Sequence, residues 1–296
     1  MDQTDYKKYI HFGTSSWAYE GWKGIVYFKD YAENRFKKYC LAEYAADDRF
    51  STVGMDLFFY QPPSEHLLSF YASQLPAGFK ACSKVWETLT ITRFANQARY
   101  GNLKGHSNPN FLNARLFTDQ ILKAYEKVFQ EHTGPFIFEF QYVLKAELSL
   151  AEFISKLNRF FSDVSKNFQY SVEIRNKNFL QPEYFDVLTK HRVAHVYNHW
   201  SYMPSIAEQL SNSDPTSDFI VSRILTPLGM SYQDTVAKFS PFNKIIEPQL
   251  QMRQDVVKLA RLAIERKIPA YLLINNRIEG CAPQTVSELQ LLLEKS

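Results

Sequence analysis

Cysteine is scarce in this chain of 296 residues: Cys40, Cys82 and Cys281 are widely separated and form no Cys-x-x-Cys pair. That excludes a disulfide framework and a structural zinc site, and fits a reducing, cytoplasmic setting. Long apolar runs are missing too. Nothing approaches the roughly 20 apolar residues of a membrane span, and the polar start from Met1 to Lys8 lacks the apolar stretch of a signal peptide, so no membrane partner is expected. Neither Gly-x-x-x-x-Gly-Lys-Ser/Thr nor Gly-x-Gly-x-x-Gly occurs, which removes the usual signals for a P-loop or a Rossmann cofactor site. Gly-x-Ser-x-Gly is also absent. No cofactor is expected. Charge of one sign is not concentrated anywhere: 34 basic residues stand against 31 acidic ones, without the basic stripe of a dedicated nucleic-acid-binding domain.

What is present is a large apolar complement. Hydrophobic residues make up 45% of the chain, enough for a sizeable core, and aromatics 16%, which serve a ring-rich core, a stacking surface for sugars or bases, or both. Eight short apolar runs read as strands: Ile10 to Thr14, Ser51 to Asp56, Phe79 to Lys84, Phe136 to Gln141, Tyr170 to Arg175, Val193 to Asn198, Phe219 to Arg223 and Ala270 to Ile274. Helical patterns alternate with them. The clearest follows Ser149, with Glu152 completing a capping box and Leu150, Phe153, Ile154, Leu157 and Phe161 forming one stripe. Others follow Ser64, Pro248 and Pro283. Repeated βα units with right-handed crossovers imply an α/β fold, a single parallel (β/α)8 TIM-like barrel over residues 1–296. Two stretches, 96–113 and 198–218, read as long loop insertions suited to lids or binding loops, or as solvated insertions.

The strand ends carry the functional signal. Asp56, Lys84, Glu139, Glu173, Arg175, Arg223, Asn275 and Asn276 all close apolar runs, and a parallel barrel gathers such ends at one rim. Glu173 and Arg175, two apart, point the same way. Glu139 shares its face with Ile137 and Gln141, while Phe136, Phe138 and Phe140 take the other.

Several segments together resemble the YecE-like family, domain of unknown function 72. Gly13-Thr14-Ser15-Ser16-Trp17 with Trp22 and Tyr27 resembles its first strand and tryptophan-bearing loop. Phe59-Tyr60 with Pro63-Ser64, Pro76-Ala77-Gly78-Phe79 through Lys84, Gly134-Pro135, Val172-Glu173-Ile174-Arg175, and Asn275-Asn276 with Gly280 and Ala282-Pro283 continue the likeness in order. The resemblance implies a TIM-like barrel akin to xylose isomerase and endonuclease IV, without an established activity. The chain departs from the family's usual pattern at Gly54, Asp56, Glu139, Asn176 and Leu225-Thr226.

Three functional readings stand side by side. In the first, Lys84, Arg175 and Arg223 clamp an anionic, phosphorylated or otherwise polyhydroxylated small molecule. Glu139 or Glu173 handles a proton, Trp17 or Trp22 covers the ligand, and Asp56, Tyr60, Asn275 and Asn276 complete the site, with hydrolysis or isomerisation as the reaction. The second is a non-catalytic nucleic-acid or polyanion binder. The third is a carbohydrate-processing enzyme using Glu139 and Glu173 as an acid and base pair. Against all three stands the bland alternative, in which Glu173 and Arg175 neutralise each other within a polar barrel layer. No metal site is expected, because the histidines are scattered and only His195 and His199 fall near one strand.

Overall fold

The computed structural model describes residues 5–32 and 35–295. Eight strands, β1 (Ile10–Thr14), β2 (Thr52–Met55), β3 (Lys80–Lys84), β4 (Thr133–Phe140), β5 (Tyr170–Ile174), β6 (Ala194–His199), β7 (Ile220–Ile224) and β8 (Ala270–Ile274), form one sheet. Its order is β1-β8-β7-β6-β5-β4-β3-β2, and every paired neighbour is parallel. Helices run between the strands: α1 (Phe36–Tyr39), α2 (Leu41–Ala45), α3 (Glu65–Ala72), α4 (Ala114–Phe117), α5 (Lys123–Val128), α6 (Leu150–Asp163), α7 (Pro182–His191), α8 (Ile206–Asn212), α9 (Tyr232–Phe239), α10 (Leu250–Arg266) and α11 (Ala282–Glu294). The architecture is an α/β (β/α)8 TIM-like barrel, nearly closed.

Closure at the β1/β2 seam depends on small residues and one phenol. A Cβ on Gly13 would lie 2.2 Å from the Thr52 carbonyl oxygen, and one on Gly54 would lie 2.8 Å from that of Ser15. Only glycine permits so close a backbone approach. The Ser51 amide donates to the Phe12 carbonyl at 2.9 Å. From α2, the Tyr44 hydroxyl accepts from the Thr14 amide at 2.9 Å and lies 3.2 Å from the Thr52 carbonyl, to which it donates. Burial pushes this phenol well above its ordinary value, so it keeps the proton it donates.

Strand alternation divides the core in two. Cys82, Ile137, Ala194, Val196, Phe219, Val221, Tyr271 and Leu273 pack together inside the barrel. On the opposite face of β4, Phe136 and Phe138 meet Phe117, Phe138 meets Phe160, and Phe140 meets Phe153 of α6. Each fully buried Phe contributes about 1.5–3 kcal/mol. Much of the aromatic content therefore serves the sheet-to-helix layer. The α6 helix begins at the expected capping box: the Glu152 amide donates to Ser149 Oγ, and the Ser149 amide donates to Glu152 Oε2.

The stretch 198–218 is not a loop insertion. It contains α8, the helix of the β6–β7 crossover, started by a second capping box between Ser205 and Glu208. That Ser-x-x-Glu signal is in the sequence, but the Ser, Asn, Asp and Pro residues around it read as loop. The stretch 96–113 has 3₁₀ turns at Ala98–Leu103 and an isolated antiparallel bridge from Ser107 to Arg93. It is pinned rather than solvated at its end, because buried Asn108 donates to the carbonyls of Thr88 at 2.8 Å and Ile91 at 2.7 Å. All three cysteines are buried free thiols. Among the described residues no helix is long and apolar enough to cross a membrane.

Candidate functional site

The carboxyl ends of the strands surround a cavity of about 620 Å³, within the usual size range of small-molecule sites. Its floor is a network of charges from five strands. Arg223 of β7 reaches across the barrel: its Nη1 donates to Glu139 Oε2 and to Glu173 Oε2, each at 2.6 Å, and its Nη2 donates to Asp56 Oδ2 at 2.5 Å. Arg175 Nη2 lies 2.6 Å from Glu173 Oε1 and 3.1 Å from Glu139 Oε2. Lys84 Nζ reaches Glu139 Oε2 at 2.9 Å. Three cations thus meet three carboxylates, and the network is neutral within itself.

Burial fixes the charge states. Desolvation alone would raise the Glu139 carboxyl, but the Lys84 ammonium and the guanidinium groups of Arg175 and Arg223 outweigh it and hold it well below the ordinary carboxylate range. Burial likewise opposes the charge on Arg223, and Asp56, Glu173 and Glu139 more than restore it. Each partner is necessary, because one removed charge strands another in a dry interior. Not all donors are used: Arg175 Nη1, Arg223 Nε and the Ser15 hydroxyl are buried without a hydrogen-bond partner.

Rings form the walls. Lys84 Nζ sits 3.8 Å from the centre of the Phe59 ring, Arg175 lies over Trp200 at 4.6 Å, and Arg277 over Tyr232 at 4.7 Å. Tyr19, Tyr60 and Tyr142 complete the aromatic lining. Arg277 differs from the other lining cations in that no carboxylate pairs with it among the described residues.

The structure brings Asp56, Tyr60, Lys84, Glu139, Arg175, Arg223 and Asn275 to the cavity, with Glu173 fully buried beneath it. Trp17, Trp22 and Asn276 are placed elsewhere, which corrects the expected ligand cover. The indole of Trp22 is completely buried and donates to Asn276 Oδ1 at 3.1 Å, and that oxygen also accepts from the Ala282 amide at 2.8 Å. Trp17 packs edge-on against Tyr71. Trp22 sits between Gly21 and Lys23, but the first connection folds inward and uses both indoles as core. Asn275 lines the cavity while its Oδ1 accepts from the Arg277 amide at 3.1 Å.

Sequence reasoning missed Trp200, Thr226, Tyr19, Tyr142, Tyr232 and Arg277. Trp200 directly follows β6, and Tyr142 and Thr226 each lie two residues past β4 and β7, so the strand-end rule would have found them once the strand limits were right. The others lie deeper in connections, where no local pattern marks them. His195 and His199 do not serve the cavity. His195 is buried between the Tyr184 hydroxyl at 3.0 Å and Gln209 Oε1 at 3.2 Å, and burial lowers both imidazoles to about 4. A larger groove of about 720 Å³ lies outside the barrel, along α8 and α10. Its charged lining residues, Asp214, Lys258, Arg261, Glu265 and Lys295, are all exposed.

A DUF72 family protein of Enterococcus faecalis has the same fold at 16% identity and a TM-score of 0.64, the match covering 97% of this chain and 96% of the other. A DUF72 family protein of Thermotoga maritima, also 16% identical, aligns over 97% of this chain and 98% of its own with a TM-score of 0.60. No curated protein matches the sequence. Residues 11–296 match the family model described as "Protein of unknown function DUF72", and with nearly the whole chain covered, this protein belongs to the DUF72 family.

Proposed function

We propose that the protein binds a small, anionic, polyhydroxylated molecule at the carboxyl rim of its barrel. The observation that carries this is the charge balance of the cavity. Lys84, Arg175 and Arg223 are answered by Asp56, Glu139 and Glu173, whereas no carboxylate among the described residues answers Arg277. One uncompensated guanidinium favours one carboxylate or phosphate group on the ligand, held by its paired N–H donors. The buried donors of Arg175 and Ser15 suit hydroxyl oxygens, and the Trp200 and Tyr232 faces suit the apolar side of a ring. The anion-holding role thus moves from the inner trio to Arg277.

Chemistry on the bound molecule, hydrolysis or isomerisation, needs a carboxylate that reaches it. Glu173 has no exposed side-chain surface, and Glu139, kept anionic by three cations, is poorly suited to donate a proton. Asp56 is the most exposed carboxylate of the network, at 28% of its side chain, and is the group assigned proton transfer. An acid and base pair of Glu139 and Glu173 lacks support, because Arg223 lies between the two carboxylates where a scissile bond would have to sit. A nucleic-acid strand is also poorly matched to the cavity, since among the described residues its lining offers one cation without a carboxylate partner, which neutralises few phosphates.

The test is calorimetric titration of wild type and Arg277→Gln with glucose 6-phosphate, glucuronate and glucose. Binding of at least one anion over glucose, weakened tenfold or more by the substitution, supports the proposal. Indifference of wild type to every anion tried, or equal binding by Arg277→Gln, refutes it.

A further inference from the structure

Around the cavity mouth stand four tyrosines that the core does not explain. Tyr60, Tyr142, Tyr202 and Tyr232 are 61%, 62%, 61% and 57% exposed, and they come from the connections after β2, β4, β6 and β7. Single exposed apolar residues are ordinary on any protein surface. Here four large rings converge on one opening: three line the cavity itself, and Tyr202 stands edge-on to Trp200, which lines it. A ligand wholly enclosed by the cavity would leave most of this ring surface in water.

We infer that the tyrosine collar is a second subsite, and that the occupant is an acidic oligosaccharide whose anionic end residue enters the cavity while the following sugar rings stack on Tyr142 and Tyr202. This rests on the anion-binding reading of the cavity. Tyrosine suits the task, since it offers a flat apolar face and a hydroxyl with little conformational freedom to lose. Sugar rings present apolar C–H faces to such rings and hydroxyls to their edges.

The ratio of rings to available charge separates this occupant from a nucleic-acid strand. Cations stack on Phe59, Tyr60, Trp200 and Tyr232. Of these, Lys84, Arg99 and Arg175 are committed to Glu139, Glu87 and both Glu139 and Glu173. Arg277 alone among the four is free, within the described residues. A single strand brings one phosphate for every base it stacks, whereas a sugar chain can carry one acidic group and several neutral rings.

The collar position also predicts a distinct mutational pattern. Tyr202 does not itself line the cavity and meets it through the edge of Trp200, so its removal leaves the ion pairs of the charge network in place. The experiment is calorimetric titration of the full chain with galacturonate, its trimer in which one terminal galacturonate is joined to two neutral sugars, the neutral trimer cellotriose and a short oligothymidylate, using wild type, Tyr142→Ala, Tyr202→Ala and Arg277→Gln. Expected are a trimer at least tenfold tighter than galacturonate, loss of that gain in Tyr142→Ala and Tyr202→Ala, with galacturonate affinity unchanged in Tyr202→Ala, and loss of both acidic ligands in Arg277→Gln. Equal affinity for galacturonate and its trimer overturns the collar while leaving the cavity's anion site standing. Tighter binding of oligothymidylate or cellotriose than of the acidic trimer overturns the choice of occupant, and absence of binding by all four overturns both readings. Circular dichroism of each variant confirms that a lost affinity is not a lost fold.

Discussion

Glu139 and Glu173 are register partners on adjacent parallel strands, and their carboxylates accept from the same nitrogen of Arg223. Two like charges directly opposite each other on one face of a sheet repel. The guanidinium between them turns that repulsion into a bridge, and the side chain that supplies it lies 84 residues from one glutamate and 50 from the other.

Removing the bridge is therefore costly. Arg223→Met leaves two buried carboxylates facing each other and is expected to destabilise the fold by about 3–5 kcal/mol. Glu173→Gln added to it recovers part of that loss, because the more deeply buried orphaned charge goes with it while Glu139 keeps Lys84 and Arg175. Urea denaturation of the single and double variants checks both statements. A single variant as stable as wild type contradicts the bridge.

The β1/β2 seam is expected to depend on the Tyr44 hydroxyl. Tyr44→Phe keeps the ring but leaves the Thr14 amide without its acceptor and the Thr52 carbonyl without this donor, a loss of about 1–3 kcal/mol. Hydrogen exchange at Thr14 should accelerate more than at strands remote from the seam, such as β5. Uniform acceleration across the sheet would mean that the hydroxyl has no local role.

Acid stability follows from the two buried histidines. Their folded values of about 4 lie below the ordinary 6.5, so between these limits the unfolded chain binds more protons than the folded one. Stability is then full above pH 6.5 and falls as pH drops toward 4, by at most about 3 kcal/mol for each residue at 1.36 kcal/mol per unit. Glu139 adds to the loss at still lower pH: its value is depressed in the fold, so its contribution is present above about 4.5 and disappears as the carboxylate is protonated. Denaturation at pH 7, 5.5 and 4.5 should show the decline, and His195→Gln should flatten it. Equal stability at all three values counts against neutral burial of these rings.

Salt provides a test between small anion and polyanion. One guanidinium without a carboxylate partner among the described residues at the cavity gives a weak ionic-strength dependence for a bound monoanion, whereas a single nucleic-acid strand loses about 0.7 log units of affinity per neutralised phosphate for each tenfold rise in salt. Titration of any confirmed ligand at 50 and 200 mM salt reads the difference. A steep slope would point to a polyanion contacting more of the surface than the cavity.

Much of the architecture is legible in the chain because it is written locally. Phe136, Phe138 and Phe140 alternate with Ile137 and Glu139, and that period alone assigns one face of β4 to the helices and the other to the barrel interior. Ser149 and Glu152 announce α6 within four residues. The same signal at Ser205 and Glu208 was masked by its surroundings, so α8 appeared as loop.

By itself the sequence determined the alternation of strands and helices, hence the parallel barrel, and that Asp56, Lys84, Glu139, Arg175 and Arg223 share a rim, since strand direction carries every such end to one side. It could not decide which charges cancel. Coulombic pairing depends on a few ångströms across the barrel, and only the folded barrel sets Arg223 between Glu139 and Glu173, leaves Arg277 without a carboxylate partner among the described residues, and turns Trp17 and Trp22 inward while Trp200 and the tyrosines face the opening.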